Sequence, residues 1–355
     1  MKNLFLLTTT SIILSLWSEN ACARSWRINS NPDAKAHFKS INAAMESLEV
    51  FNGDTLYLDP GCIITEQVTI DKSVTIIGTG YNLDGTSIKE AMITGAYSTV
   101  ISADNVKIEG CSVENIEHHT GSNIEIERCR ILNGVNCSGN GNLPLKIRSC
   151  FIDGIIKCGS YNSSYNVEIS NCIVRGRIQS LSASTITNNV IITQKNDGYD
   201  KFLLSNIKES SITNNIIINT ETGYKVGDNQ TPYYYKNSTI ENTTTTDNNT
   251  ISRNVLSTEA AHAFANYPDN KYIGATLEDV FILEGVSDAM YKLKEGSPAI
   301  GYGTNGYDCG AFSGPYPYVI SGHPRFIPYI YEAIIPNQPT DGKLNITLKI
   351  KSQNE

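Results

Sequence analysis

One short phrase recurs along the middle of the chain: an aliphatic residue followed three positions later by Cys or Asn. It appears as Ile108-Glu109-Gly110-Cys111, Ile126-Glu127-Arg128-Cys129, Ile147-Arg148-Ser149-Cys150 and Ile169-Ser170-Asn171-Cys172. It continues as Ile186-Thr187-Asn188-Asn189, Ile212-Thr213-Asn214-Asn215 and Ile251-Ser252-Arg253-Asn254. The Cys/Asn positions are separated by 18, 21, 22, 17, 26 and 39 residues. Around each phrase Val and Ile alternate with other residues, the period of a strand with one buried face, and no long helical pattern lies between. Strands recurring at intervals of about 20 residues without helical crossovers stack as turns of one coil, each burying its apolar face against the next. The expected class is all-β, a parallel solenoid.

Stacking turns sequence positions into columns. Lys107, Glu125, Lys146 and Glu168 match on successive coils and alternate in sign, with Glu109, Glu127 and Arg148 as a neighbouring column. At a rung spacing of about 4.8 Å, opposite charges on adjacent coils pair, giving either a solvated face of surface pairs or a ligand strip. Cys111, Cys129, Cys150 and Cys172 take the bend position that Asn takes in later coils, while Cys137 and Cys158 form a second short column. One thiol per coil does not converge on an ion, and the chain has no CxxC pair, so no metal site is expected. The cysteines read as buried free thiols acting as small hydrophobes, with disulfides the alternative open to an exported chain.

Both ends carry signals of their own. Phe38, Ile41, Met45 and Leu48 share one face of a helix predicted from about Pro32 to Val50, a lid over the open end of the coil. Leu344, Ile346, Leu348 and Ile350 alternate with Asn345, Thr347, Lys349 and Lys351 as a last strand. At the start, Lys2, an apolar stretch from Leu4 to Trp17 and Ala21-Cys22-Ala23 read as a secretory signal cut between Ala23 and Arg24. Lipid anchoring through Cys22 is the alternative. The expected organisation is a signal peptide over 1–23, the solenoid with its cap over 24–315 and a β tail over 316–355. The expected location is secreted, periplasmic or on the outer surface.

The Thr-Asn-Asn phrases at Asn188-Asn189 and Asn214-Asn215 resemble the asparagine ladder of the right-handed parallel β-helix proteins of the pectate-lyase-like superfamily. Gly53-Asp54-Thr55-Leu56-Tyr57-Leu58, Val74 to Tyr81 and Ser297-Pro298-Ala299-Ile300-Gly301 are similar to secreted Bacteroidetes β-helix proteins. The resemblance implies a right-handed parallel β-helix with a short N-terminal capping helix and a C-terminal β tail. It also implies polysaccharide as the partner. Lyases of this fold pair a Lys or Arg base with Ca²⁺ or Arg, and hydrolases use paired carboxylates.

The chemistry such enzymes need is thin here. Between Asn105 and Asn215 the aspartates are Asp153, Asp197 and Asp200, with no Asp-Asp pair, Gly-His-Gly or Arg-x-Lys. Ca²⁺ therefore has no supporting aspartate cluster, and no cofactor is expected. Long connections between rigid coils are the place to look. Those from Gln194 to Ser205 and from Asn219 to Thr250 are predicted to leave adjacent coils from the same edge. Asp197, Asp200 and Lys201 are the catalytic candidates there. Tyr199, Phe202, Tyr224, Tyr233, Tyr234 and Tyr235 are the substrate-binding candidates, since sugar rings stack on flat aromatic faces. His118-His119 beside Glu117 offers a base or half a metal site; neighbours on a strand point to opposite faces, which sets them against sharing one ion, although a corner relaxes that rule.

Charge excludes one class of partner. With 28 Lys+Arg against 36 Asp+Glu and a net charge of −8, the chain lacks the basic stripe that nucleic acid needs. No internal apolar run is long enough for a membrane span. The expected function is an exported β-helix protein that binds or acts on polysaccharide or cell-surface glycan without a recognisable catalytic motif. The alternatives are a non-catalytic adhesion or spacer protein, and a uronate lyase or epimerase with an atypical site. Incubation with polygalacturonate and calcium should release no ultraviolet-absorbing unsaturated uronate ends; their appearance would refute the absence of conventional pectate-lyase activity.

Overall fold

The computed structural model describes residues 23–82, 89–95, 98–138, 144–159, 166–192, 203–219, 240–241, 243, 247–257, 269–273, 276–285, 287–324, 328–334, 336, 338–339 and 342–351. Two large parallel sheets dominate it, one of 10 strands and one of 16. The first, here wall A, runs from Ser25–Ile28 through Lys107–Glu109, Ile124–Glu127, Leu145–Arg148, Val167–Ser170, Thr185–Thr187 and Ser211–Thr213 to Thr250–Ser252. The second forks at two long strands, Ser112–His118 and Arg130–Cys137. Their first halves pair with Met92–Ile93 and Phe151–Ile152, and their second halves with Thr99–Ile101 and Ile155–Cys158. It therefore supplies two sides, wall B and wall C. The chain winds A, B, C on each coil, a parallel β-helix.

The repeat sets the core. Ile76, Ile108, Ile126, Ile147, Ile169, Ile186, Ile212 and Ile251 are successive register partners on wall A, and none exceeds 4% exposure. Each buried side chain of this kind contributes about 1.5–3 kcal/mol, and rung-on-rung stacking keeps water out of the tube.

At the A–B corner the chain turns through a left-handed residue in each coil. Arg128, Ser149, Asn171, Asn188, Asn214 and Arg253 have φ of 51°, 52°, 54°, 55°, 59° and 58°. The next residue, the Cys or Asn of the repeat, points inward and bonds neighbouring coils. Asn189 N donates to Asn215 Oδ1 at 2.9 Å and Asn215 N to Asn254 Oδ1 at 2.9 Å. Asn215 Nδ2 donates to the Ile186 carbonyl at 2.9 Å. The cysteine thiols each lie between two carbonyls: Cys129, Cys150 and Cys172 Sγ are 3.2, 3.2 and 3.3 Å from those of Glu127, Arg148 and Ser170 on their own coil, and 3.6, 3.4 and 3.4 Å from those of Ile108, Ile126 and Ile147 on the preceding coil. Burial pushes the thiols of Cys111, Cys129 and Cys150 well up. They are free thiols inside the tube, as expected. Cys137 and Cys158 differ. They are register partners on wall C and form a disulfide, which corrects the free-thiol expectation for that column.

The capping helix is shorter than its periodicity predicts, Ile41–Glu46. The Ser40 side chain accepts from Ala43 N and sets the start. Asn29 and Asn31 accept from the backbone two residues on, holding the preceding segment in turns, while Lys39 binds the carbonyls of Asn31, Pro32 and Ala34. Ile41, Ala44 and Met45 cover the core, but Leu48 lies past the helix at 91% exposure.

After the last coil strand, Lys271–Ile273, the chain folds back along the axis as a strap. Wall B needs such a cover, because its outward partners Phe151, Ile173, Val190, Ile216 and Val255 are apolar and 0% exposed. Corner residues hold the strap from outside. Asn214 Oδ1 accepts from Thr304 N at 2.9 Å, and Asn171 Nδ2 donates to the Ala311 carbonyl at 2.8 Å. Ser149 Oγ donates to the Tyr316 carbonyl at 3.2 Å and Arg128 Nη1 to that of His323 at 2.6 Å. Buried Asp288 accepts from Tyr318 Oη at 3.1 Å and Ser321 N at 2.6 Å, with Tyr81 Oη 2.5 Å from Tyr318 Oη. Gly322 has φ 56°, and a Cβ there would fall 2.1 Å from the Tyr81 ring. The tail then forms a separate antiparallel pair, Tyr329–Ile334 with Thr347–Lys351.

Asn215→Leu orphans Asn189 N–H and the Ile186 carbonyl. At about 1–3 kcal/mol each, the expected loss is about 2–6 kcal/mol in urea unfolding. Asn215→Cys, matching the upper coils, should lose about half as much. Equal losses would refute a shared role for Cys and Asn.

Candidate functional corner

Wall A carries the charged columns in the predicted register, Lys107 with Glu125, Lys146 and Glu168, and Glu109 with Glu127 and Arg148. Much of the pairing is diagonal. Lys107 Nζ sits 2.9 Å from Glu109 Oε2 and 2.8 Å from Glu127 Oε2, Lys146 meets Glu125 at 2.8 Å, and Arg148 grips Glu168 through two bonds of 2.7 and 2.6 Å. Against burial, which alone would lower it, the bonds to Glu127 and Glu109 hold Lys107 above its ordinary pKa. A lysine so held is a poor base for drawing a proton from carbon. The block closes on itself.

The corner between walls B and C is different. Arg130 opens one strand and points outward, Asp153 follows Phe151–Ile152, and Arg175 ends Ile173–Arg175. Arg175 Nε donates to Asp153 Oδ1, Arg130 Nη2 lies 4.0 Å from Asp153 Oδ2, and Arg130 Nη1 donates to Asn82 Oδ1 at 3.2 Å. Arg175 also covers the Phe151 ring at 5.2 Å. Burial would lower the Arg175 pKa, but the hydrogen bond and charge of Asp153 raise it overall. Gly154 makes the corner tight: its φ is 152°, and a Cβ would fall 2.2 Å from the Asn133 carbonyl. The Asp153 side chain is 8% exposed, whereas Arg130 and Arg175 keep 29% and 33%. Two partly exposed guanidiniums on one carboxylate leave N–H donors facing solvent, in the geometry that suits planar anionic or hydroxylated groups.

The described strands that flank the two insertions meet at this corner. Arg175 pairs with Ile192, where the first begins, and Ile192 pairs with Ile218, ahead of the second. The next described strands are on wall C and pair on adjacent coils: Leu204–Lys208 after the first wall B strand, and Ile240–Glu241, within the second insertion, after the other. Asp197, Tyr199, Asp200, Lys201, Phe202, Tyr224, Tyr233, Tyr234 and Tyr235 themselves lie outside the described residues. Beyond the corner, wall C presents a polar column of register partners, Glu117, Asn136, Lys157 and Gln179, which ends at the buried Ser205.

The histidines separate as strand alternation requires. His118 is buried inside wall C, while His119 is exposed and meets Glu117 Oε2 at 3.1 Å. Among the described residues, no group of three or more His, Cys, Asp or Glu is placed to hold a metal ion. Under the strap, a cavity of about 200 Å³ borders Val190, Ile216, Tyr291, Cys309 and Phe312. Burial pushes the Cys309 thiol up to about 12, so it is no nucleophile there.

Sequence reasoning noted Asp153 but did not join it to Arg130 and Arg175. A signal existed. Asp153 and Arg175 each stand three residues after a ladder cysteine, so they meet on adjacent coils. No protein-family model matches this chain, and no curated protein matches it in sequence.

Against burial, which would raise it, Arg148 holds Glu168 below the usual glutamate pKa. Because the folded value is depressed, this stabilisation is present above the unfolded glutamate value of about 4.3 and fades as pH falls through the lower folded value. Wild type should exceed Glu168→Gln by about 1 kcal/mol at pH 7, with the gap closing below about pH 4 in paired thermal melts. A gap independent of pH would refute the pairing.

Proposed function

We propose that this chain is an exported glycan-binding β-helix, holding polysaccharide at the corner between walls B and C without cleaving it. The observation that carries the reading is the Arg130–Asp153–Arg175 group, whose last member pairs with Ile192, the strand end before the first of two insertions rich in aromatic residues. Guanidiniums orient sugar hydroxyls or carboxylates, aromatic rings supply flat apolar faces, and the column from Glu117 to Gln179 continues the polar surface along the axis. Rungs about 4.8 Å apart repeat on a scale close to one sugar ring, so a chain lying along the axis meets similar groups at each step.

Binding is favoured over hydrolysis because, among the described residues, the carboxylates near the corner are already engaged. A two-carboxylate mechanism needs one group able to give a proton and another able to attack or activate water. Asp153 is gripped by Arg175, Glu90 accepts from Asn82 N and Ser112 Oγ, and Glu114 accepts from Asn133 Nδ2. The leader over residues 1–23 supports export to where such glycans are met.

A panel of immobilised polysaccharides, scored for retention and for released products, tests this. Wild type should be retained by at least one glycan with no product, and Arg175→Ala should weaken retention about tenfold or more, the scale of charge-assisted hydrogen bonds. Glu168→Gln on wall A should leave retention unchanged. Retention by none would make the solenoid a spacer, and released product would make it an enzyme.

A further inference from the structure

Inside wall C, His118, Cys137 and Cys158 are register partners on three successive coils. All three are buried, at 1%, 1% and 0% exposure. The two cysteines form a disulfide, so the histidine stacks on one half of it. His118 Nε2 lies 2.8 Å from the Gly121 carbonyl oxygen. A carbonyl accepts and cannot donate, so Nε2 carries the ring proton and Nδ1 keeps a bare lone pair. Burial lowers the pKa of this histidine against the opposing backbone carbonyls of Gly121 and Thr120, and favours the same neutral form. Nδ1 is nevertheless buried with no hydrogen-bond partner. Orphaned buried acceptors are rare and demand an explanation.

The neighbouring sulfur supplies one. A disulfide has no hydrogen to give, whereas a thiol has one. The ladder thiols spend theirs on main-chain carbonyls, Cys129 on that of Glu127 or Ile108 and Cys172 on that of Ser170 or Ile147. A reduced Cys137 would have the open acceptor of His118 beside it.

We propose that Cys137–Cys158 is a reversible redox site whose reduced state is completed by a hydrogen bond from the Cys137 thiol to Nδ1 of His118. A dithiol is the reductant. It passes two electrons and two protons to the two sulfurs, the S–S bond breaks, two S–H groups form, and the dithiol closes into its own disulfide. The oxidised form leaves Nδ1 unsatisfied and the reduced form satisfies it. His118 thereby biases the pair towards the dithiol.

The test uses the full chain at pH 7 in graded mixtures of reduced and oxidised dithiothreitol. The Cys137/Cys158 pair is scored by thiol alkylation and mass spectrometry. His118→Leu should shift the equilibrium towards the disulfide about tenfold, the scale of one hydrogen bond to a buried group. An unchanged equilibrium, or a wild-type pair that stays oxidised in every mixture, overturns the proposal. Since leucine could disturb the packing, a second measurement follows the ¹⁵N resonance of His118 Nδ1. It should move in the hydrogen-bonding direction on reduction, and the double variant Cys137→Ser, Cys158→Ser should reproduce the reduced position, because serine keeps the donor. An Nδ1 signal identical in both redox states overturns it as well.

Discussion

The solenoid depends on what happens to backbone N–H and C=O groups at the corner between walls A and B. The chain turns there through a positive φ on each coil, beside an apolar tube that admits no water. Any group left unpaired at that point carries its full desolvation cost. The repeat answers with one inward side chain per coil that bonds the coils beside it. Asn does this in both directions, since its amide offers a donor and an acceptor. Cys does it more weakly, as the 3.5 Å contact from Cys150 N to Cys172 Sγ shows beside the 2.8 Å contact from Cys172 N to Asn189 Oδ1. The cysteine coils are also the ones whose outer face on wall A carries the ion pairs from Lys107 to Glu168. The asparagine coils carry Thr185, Thr187, Ser211, Thr213, Thr250 and Ser252 instead.

The same corner is used from outside. The left-handed residues that precede the ladder turn their side chains towards the strap, and Arg128, Ser149, Asn171 and Asn214 bind its backbone at successive heights. One repeated bend therefore ties coils together on the inside and anchors the return of the chain on the outside. The strap in turn covers the apolar outer face of wall B. That leaves the B–C corner and wall C as the polar surface next to the two insertions.

Legibility followed how local each interaction is. The register of the charged columns and the placement of four thiols inside one tube were readable because a fixed offset from the ladder residue repeats. The split of His118 from His119 was readable from strand alternation alone. The helix was over-read because Phe38 to Leu48 has helical spacing, while competing side-chain bonds from Asn29, Asn31 and Lys39 hold the first part of that segment in turns. The ion group of Arg130, Asp153 and Arg175 was within reach, yet its three members sit on three coils, and nothing in any one coil marks them.

By itself the sequence determined that strands would stack in parallel, which residues face inward, and which corner residue each coil contributes to the ladder. These follow from a period and an alternation that the backbone must obey. Only the tertiary structure decided that the segment after Ile273 runs back over wall B, that Asp288 meets Tyr318 and Ser321, that Cys137 joins Cys158, and that His118 keeps a bare nitrogen beside them. Those contacts join residues far apart in the chain or turn on side-chain geometry that periodicity does not encode. The strap contacts among them exist because a closed tube leaves one apolar outer face, and the remaining chain lowers its free energy by covering it.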